Sequence, residues 1–337
     1  MKTFLHLAWL ALTPPILFAQ QPLPKPDSSP HKVQFINVEP NVKLEVLDWG
    51  GSGPPVIFLA GLGNTAHVFD DFAPKFVPYY HVYGITRRGF GTSSSPLPID
   101  SNYVSDRLGD DVLKVMDALG TKQPVLIGHS IAGEEMSSIG SRFPDKVTGL
   151  IYLDAGYPYA LYSPSFGDRE LDSKDLKRAL DAFLVAQSGA DMKSMTDAMA
   201  NVLSEIRLVQ KDLETFQTQL ELMPHPPDAG TTPAIPFAPP AVIRGEQKYT
   251  NIQVPILAIF ASPHSTAHLP TMPEDKKAKF AALDQAESAA QAKAFEHLKS
   301  AKVVILPNAD HFVFLSNGPE VEKHIRDFLA AVYPQVK

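Results

Sequence analysis

The sequence predicts an α/β fold: a mostly parallel eight-stranded sheet with helices on both faces, plus a helical insertion. Three observations predict it. From about residue 33 onward, short β-rich runs alternate with helical patterns. The later runs are continuously apolar, as strands buried on both faces must be. The alternation breaks once, between about Tyr157 and Gln247, where helical periodicity continues with no convincing strand.

The eight candidate strands are "VQFINV", "KLEVLDWG", "VIFLA", "HVYGI", "VLIG", "GLIYL", "ILAIF" and "VVIL". The first two lie close together and alternate in part, as a hairpin at a sheet edge does. Between the fourth and fifth, Val104, Leu108, Val112, Val115, Met116 and Leu119 recur at steps of three and four, one apolar helix stripe. After the fifth, Ala132, Met136, Ile139, Gly140 and Phe143 make a similar stripe, closed by Pro144 and Asp145. The insertion carries two more stripes, Leu176, Leu180, Phe183 and Leu184, then Ile206, Val209, Leu213, Phe216 and Leu220. The segment "PHPPDAGTTPAIPFAPP" then reads as an extended loop leading back to the sheet.

Domain bounds follow. Residues 1–20, with Lys2, an apolar run from Phe4 to Phe18 and Ala19 before polar residues, read as a secretory signal peptide. The run falls short of the ~20 apolar residues that span a bilayer, so no stable membrane insertion is expected after cleavage; the alternative is an uncleaved signal anchor. Residues 21–32 form a proline-rich leader, 33–156 and 248–337 the core, and 157–247 a helical cap insertion. The expected location is periplasmic or secreted.

Composition narrows the chemistry. The 337 residues carry no cysteine, which removes disulfides, thiolate nucleophiles and cysteine-ligated metals. A net charge of -7, with acidic and basic residues interspersed, offers no basic face to nucleic acid. No H-E-x-x-H or similar metal-ligand spacing occurs, and neither metal nor organic cofactor is expected. The expected partner is a small-molecule substrate, and nothing in the sequence fixes an oligomeric state.

The stretch "VLIGHSIAGEE" places Ser130 between a strand and a helix. This is a nucleophile elbow, a turn so tight that only small residues fit two positions either side of the serine. Gly128 and Ala132 hold those positions; Ala132 departs from the usual G-x-S-x-G by one methyl group, and Gly133 follows it. A serine at a strand-to-helix junction can also be a simple helix cap. The rest of the chain decides between the two, because a nucleophile needs a base, an orienting acid and oxyanion donors.

The turn "GLGNTAHVFDDF" after the third strand, read as entering a helix, supplies the Leu62 N–H as one oxyanion donor, with the Ile131 N–H as the other. His311 lies in "LPNADHFVFL", after the last strand, and is the candidate base; His129 beside the serine shapes the elbow. The commonest place for the acid, the loop after the seventh strand, reads "ILAIFASPHSTAH" and holds no carboxylate. Asp154, at the end of "GLIYLDAGYP", takes the role instead. Glu134, Glu135 and Asp310 are the weaker rivals, since glutamates at a helix start are favoured by the dipole alone.

From about residue 33 to its end, the chain resembles the α/β-hydrolase superfamily. The order Ser130, Asp154, His311 matches that family's nucleophile, acid, histidine order. "GITRRGFGTSS" resembles its loop after the fourth strand, and the insertion resembles its helical cap. Some haloalkane dehalogenases are similar in carrying the acid at the end of the sixth strand. Their nucleophile is an aspartate, as in epoxide hydrolases, so Ser130 argues against both activities. The resemblance implies acyl transfer; the Phe-, Pro- and Met-containing cap segments point to a small or medium apolar ester, with an amide, lactone or peptide as the alternative substrates. The alternatives are a perhydrolase, haloperoxidase-like or lyase variant of the site, or a binding protein that keeps the pocket without turnover.

Overall fold

The structure, a computed structural model, describes residues 30–189, 191–222, 238–267, 269 and 272–336. The expected signal peptide, the leader up to residue 29 and most of the proline-rich segment lie outside the described residues. All eight expected strands form: β1 Lys32–Glu39, β2 Val42–Gly50, β3 Pro55–Leu59, β4 His81–Ile85, β5 Val125–His129, β6 Gly149–Leu153, β7 Ile256–Ala261 and β8 Ala301–Leu306. They make one sheet in the order β1-β2-β4-β3-β5-β6-β7-β8. β2 pairs antiparallel with β1 and β4, and all the other pairings are parallel.

The helices are α1 Asp100–Tyr103, α2 Ser105–Leu119, α3 Ala132–Arg142, α4 Arg169–Gln187, α5 Met192–Leu222, α6 Ala238–Gly245, α7 Glu274–Glu296, α8 Val313–Ser316 and α9 Gly318–Val332. Successive side chains of a strand point to opposite faces, and the core divides accordingly. Ile57, Leu126, Leu150 and Tyr152 pack with Leu108, Val112, Met136 and Ile139 of α2 and α3 on one face. Phe58, Ile127, Ile151 and Leu153 pack with Phe69, Phe72, Phe76 and the α9 residues Val321 and Ile325 on the other. Burying one such side chain contributes about 1.5–3 kcal/mol relative to leaving it in water.

Four details depart from the sequence reading. The turn after β3 enters two 3-10 turns, Ala66–Phe69 and Ala73–Phe76, rather than an α-helix. Pro74 lacks the N–H that a continuing helix would need there. The segment read as an extended loop already becomes helical at Ala238, where α6 begins, with Pro239 and Pro240 in its first turn. Proline is tolerated there because first-turn N–H groups have no intrahelical acceptor. β8 is an edge strand and only half buried, with Ile305 exposed. Part of the expected helix stripes also faces outward: Phe143, Leu180, Leu184, Ile206, Leu213 and Leu220 are exposed, whereas Val209 and Phe216 are buried.

Candidate active site

Between the last residue of β5 and the first of α3 the chain must reverse within Ser130 and Ile131. Ser130 does so in the left-handed region, at φ 55°, a conformation that costs a non-glycine residue roughly 1–2 kcal/mol. Small neighbours make the reversal possible. A Cβ at Gly128 would stand 2.6 Å from Met136 Cε and 3.1 Å from Ala132 Cβ, so glycine at 128 leaves room for the methyl group at 132. Gly133 serves a different contact: a Cβ there would drive into the Ala155 carbonyl oxygen. That close approach brings the serine-bearing helix against the turn that carries Asp154.

His311, on the loop between β8 and α8, faces both residues. Its Nε2 lies 2.9 Å from Ser130 Oγ and its Nδ1 2.6 Å from Asp154 Oδ2. With Nδ1–H donating to the carboxylate, Nε2 is left to accept the serine proton. His129 props this arrangement from behind, since its Nε2–H donates to the His311 carbonyl oxygen at 3.1 Å. Burial, aided by His311, pushes the His129 imidazole down to about 3. It is therefore a neutral support.

Asp154 also sits at a left-handed backbone position, φ 46°. Its Oδ1 accepts the Ala261 N–H at 3.0 Å. Its Oδ2 accepts from His311, from His264 Nε2–H at 2.7 Å and from the Tyr157 hydroxyl at 3.2 Å. Burial opposes its ionisation, yet the imidazoles of His264 and His311 outweigh it and hold the carboxyl well below the usual carboxylate range. The rival acids are placed elsewhere. Glu134 is fully buried, accepts the Ser105 hydroxyl at 2.7 Å and is pushed by burial up to about 8. Glu135 pairs with Arg87, and Asp310 is exposed, its N–H donating to Ser316 Oγ.

The two backbone donors expected from the sequence belong to the turn after β3 and to the elbow itself. Among the described residues, neither the Leu62 nor the Ile131 N–H makes a hydrogen bond. Gly61 brings its turn against the elbow, because a Cβ at 61 would stand 2.8 Å from His129 Nδ1 and 3.1 Å from Ser130 Cβ. Arg87 ties the two segments together: its Nη2–H donates to the Ala60 carbonyl oxygen at 3.0 Å while its Nε–H donates to Glu135 on α3.

Four residues near this cluster escaped the sequence reading. Tyr157 stands against Asp154, and Tyr159 is buried beside Tyr157, their ring centres 5.7 Å apart. His264 lies in the loop after β7, and Asp284 of α7 lies behind it. The signal for His264 was present in "ASPHSTAH", the loop in which a carboxylate was sought; Asp284 left none.

Two groups of described residues bring three potential metal-donor atoms within 4.8 Å of one another: Asp154, His264 and His311, and His31, His67 and Asp70. In the first, both imidazoles donate to one carboxylate oxygen, which makes it a hydrogen-bond cluster. In the second, hydrogen bonds to Asp70 and Glu45 raise His67 to about 10. A ring that holds its proton so firmly is a poor ligand at neutral pH.

Comparison with known proteins places these observations in a family. Residues 54–318 match the family model described as the alpha/beta hydrolase fold. The chain is 31% identical over 115 residues to a fluoroacetate dehalogenase of Burkholderia sp., a match covering 34% of this chain and 38% of that one. It is 23% identical over 290 residues to the 2-(acetamidomethylene)succinate hydrolase of Mesorhizobium japonicum, covering 83% of this chain and 90% of the relative. The crystal structure of a bromoperoxidase from Bacillus anthracis superposes with a TM-score of 0.55 at 17% identity, over 88% of this chain and 99% of that one. At that identity the likeness speaks for the fold.

Proposed function

We propose, for a chain that belongs to the α/β-hydrolase family, that it is a serine hydrolase cleaving an ester-like bond of a small molecule through an acyl-enzyme intermediate. The observation that carries this reading is His311 standing 2.9 Å from Ser130 Oγ and 2.6 Å from Asp154 Oδ2. These are the hydrogen-bond distances that a nucleophile, its base and an orienting acid require.

In this reading His311 Nε2 takes the Ser130 proton as Oγ attacks the substrate carbonyl. The oxygen that becomes negative is held by the Leu62 and Ile131 N–H groups, and the N-terminus of α3 adds its favourable dipole. His311 then hands its proton to the leaving alcohol, which departs as the carbon–oxygen bond breaks. Water, deprotonated by His311, attacks the acyl-serine and restores Ser130. Asp154 fixes the ring tautomer and balances the imidazolium.

The same reading assigns residues 157–247 to a cap over the site that selects the substrate, and residues 1–20 to export into the periplasm or beyond.

A fluorophosphonate probe tests the chemistry. Folded wild-type protein is expected to form a covalent adduct on Ser130 and to hydrolyse acyl esters of some chain length, with both lost in Ser130→Ala. Absence of the adduct overturns the proposal. An adduct without turnover across an ester panel points to a binding protein. Asp154→Asn is expected to lower kcat by roughly 10⁴.

A further inference from the structure

We propose that His264 is a positioning residue held as an imidazolium between Asp154 and Asp284, extending the line Ser130–His311–Asp154 by two members and placing a fixed positive charge beside His311. The proposal rests on the reading of Ser130 as nucleophile.

The geometry of the ring carries it. His264 Nε2 lies 2.7 Å from Asp154 Oδ2, and Nδ1 lies 2.8 Å from Asp284 Oδ1. An ionised carboxylate only accepts hydrogen bonds, and a neutral imidazole has only one N–H to give. Both contacts are satisfied together when the ring carries both protons. Asp284 also fixes the ring's position, since its Oδ2 accepts the His264 backbone N–H at 2.6 Å. α7 thus clamps the loop after β7 through Asp284, and again through Ser288, whose hydroxyl lies 2.7 Å from Ser262 Oγ.

The surroundings agree. The groups that face the ring are Asp154 and Tyr157 from the segment after β6, His311 from the loop after β8, and Asp284 and Glu287 from α7. Burial works against a charged ring there, but Asp154 and Asp284 outweigh it and raise His264 to about 10.

The consequence reaches His311. In a three-residue arrangement the carboxylate's charge is free to favour the protonated form of the catalytic ring. Here His311 and His264 donate to the same oxygen, and their ring centres lie 6.1 Å apart. Asp154 is already balanced by one cation, and that fixed positive charge stands beside His311. His264 therefore keeps Asp154 ionised and aligned.

Two measurements test this. In ¹⁵N-histidine spectra of the wild-type protein at pH 8, a doubly protonated ring is expected for His264, and its signal disappears in H264Q. A wild-type spectrum with no doubly protonated ring overturns the proposal without reference to any variant. In the kcat/KM profile on an ester, H264Q keeps a donor to Asp154 but loses the charge. The acid limb is then expected to move up by about one pH unit. A folded H264Q whose acid limb stays within about 0.3 units of wild type reduces His264 to a structural role, since one pH unit is the shift at stake. Should H264Q not fold, D284N replaces it, and the His264 ring is expected to lose its second proton at lower pH than in wild type; an unchanged titration overturns the proposal. Failure of fluorophosphonate labelling at Ser130 in the wild type removes the hydrolase reading itself. The spectra report on the charge of His264 whether or not hydrolysis occurs.

Discussion

Gly133 lies beneath Ala155 so closely that no side chain fits between them, and a Cβ at 133 would meet the Ala155 carbonyl oxygen and stand 2.9 Å from Ala160 Cβ. The contact joins α3, which begins behind Ser130, to the segment that runs from Asp154 to Tyr159.

Gly133→Ala is therefore expected to push these segments apart. Overpacking of this kind costs roughly 1–3 kcal/mol. The same displacement lengthens the path from Ser130 to Asp154, so activity falls along with the urea midpoint. A variant with wild-type midpoint and wild-type kcat contradicts the packing argument.

Gly61→Ala acts on the other side of the serine. Its methyl group would press on His129 Nδ1 and Ser130 Cβ, at 2.8 and 3.1 Å, and displace the turn that presents the Leu62 N–H. In the proposed mechanism that N–H holds the oxyanion, and loss of one such donor costs about 10²–10³ in kcat. KM is expected to change little, because the donor acts on charge that develops only in the transition state. A steady-state comparison of the two constants checks this.

Arg87→Met leaves Glu135 as a buried carboxylate with no cation and frees the Ala60 carbonyl oxygen. Breaking a buried pair from one side costs about 3–5 kcal/mol. The double variant Arg87→Met, Glu135→Leu removes both charges and is expected to recover much of that loss. Denaturant unfolding of the three proteins gives the answer; equal stability of the single and double variants argues against an uncompensated charge.

Two histidines set opposite limits on stability with pH. His129 is depressed to about 3, so its contribution is complete above the unfolded value of about 6.5 and is lost as pH falls toward 3. His264 is raised to about 10, so its contribution is complete below about 6.5 and is lost as pH rises through 10. Glu134 works against His129 in the acid range, because burial raises it to about 8 and its folded form holds a proton that the unfolded chain has released. The contribution of His129 is therefore read as a difference: between pH 6 and 5, wild type is expected to lose up to about 1.4 kcal/mol per unit more than His129→Gln. Parallel profiles of these two proteins over that range exclude the His129 assignment, and parallel profiles of wild type and H264Q between pH 7 and 9 exclude the His264 assignment.

The sheet was legible because its strands have one physical requirement. "GLIYL" and "ILAIF" must be apolar at every position to lie between two layers of helices, and every residue of β6 and β7 is buried. β8 passed the same reading for a weaker reason: "VVIL" is apolar but covers only part of an edge. The helix stripes of the insertion were less informative. Apolar spacing reports that a face exists, not that a partner covers it, and Leu180 and Leu184 face solvent.

Within the candidate site, Ser130 announces itself because the elbow is a local event of strand, small residues and helix. Asp154 followed by exclusion, once the loop after β7 lacked a carboxylate. The same loop held His264, whose meaning depends on Asp284, 20 positions further on and in a different element. A charge shared between residues of different elements leaves no pattern in sequence spacing.

Leu62, Ser130, Asp154, His264 and His311 follow β3, β5, β6, β7 and β8 in turn. The hydrogen bonds of His311 to Ser130 and Asp154 span 181 and 157 positions of chain. A ribosome that has reached residue 300 has already made the serine, the aspartate and both backbone donors, but not the histidine. In the proposed mechanism competence thus arrives last, with the docking of the final strand and the loop beyond it. A chain that has not yet folded its last strand is then inert, and the appearance of covalent labelling at Ser130 becomes a clock for the last step of folding.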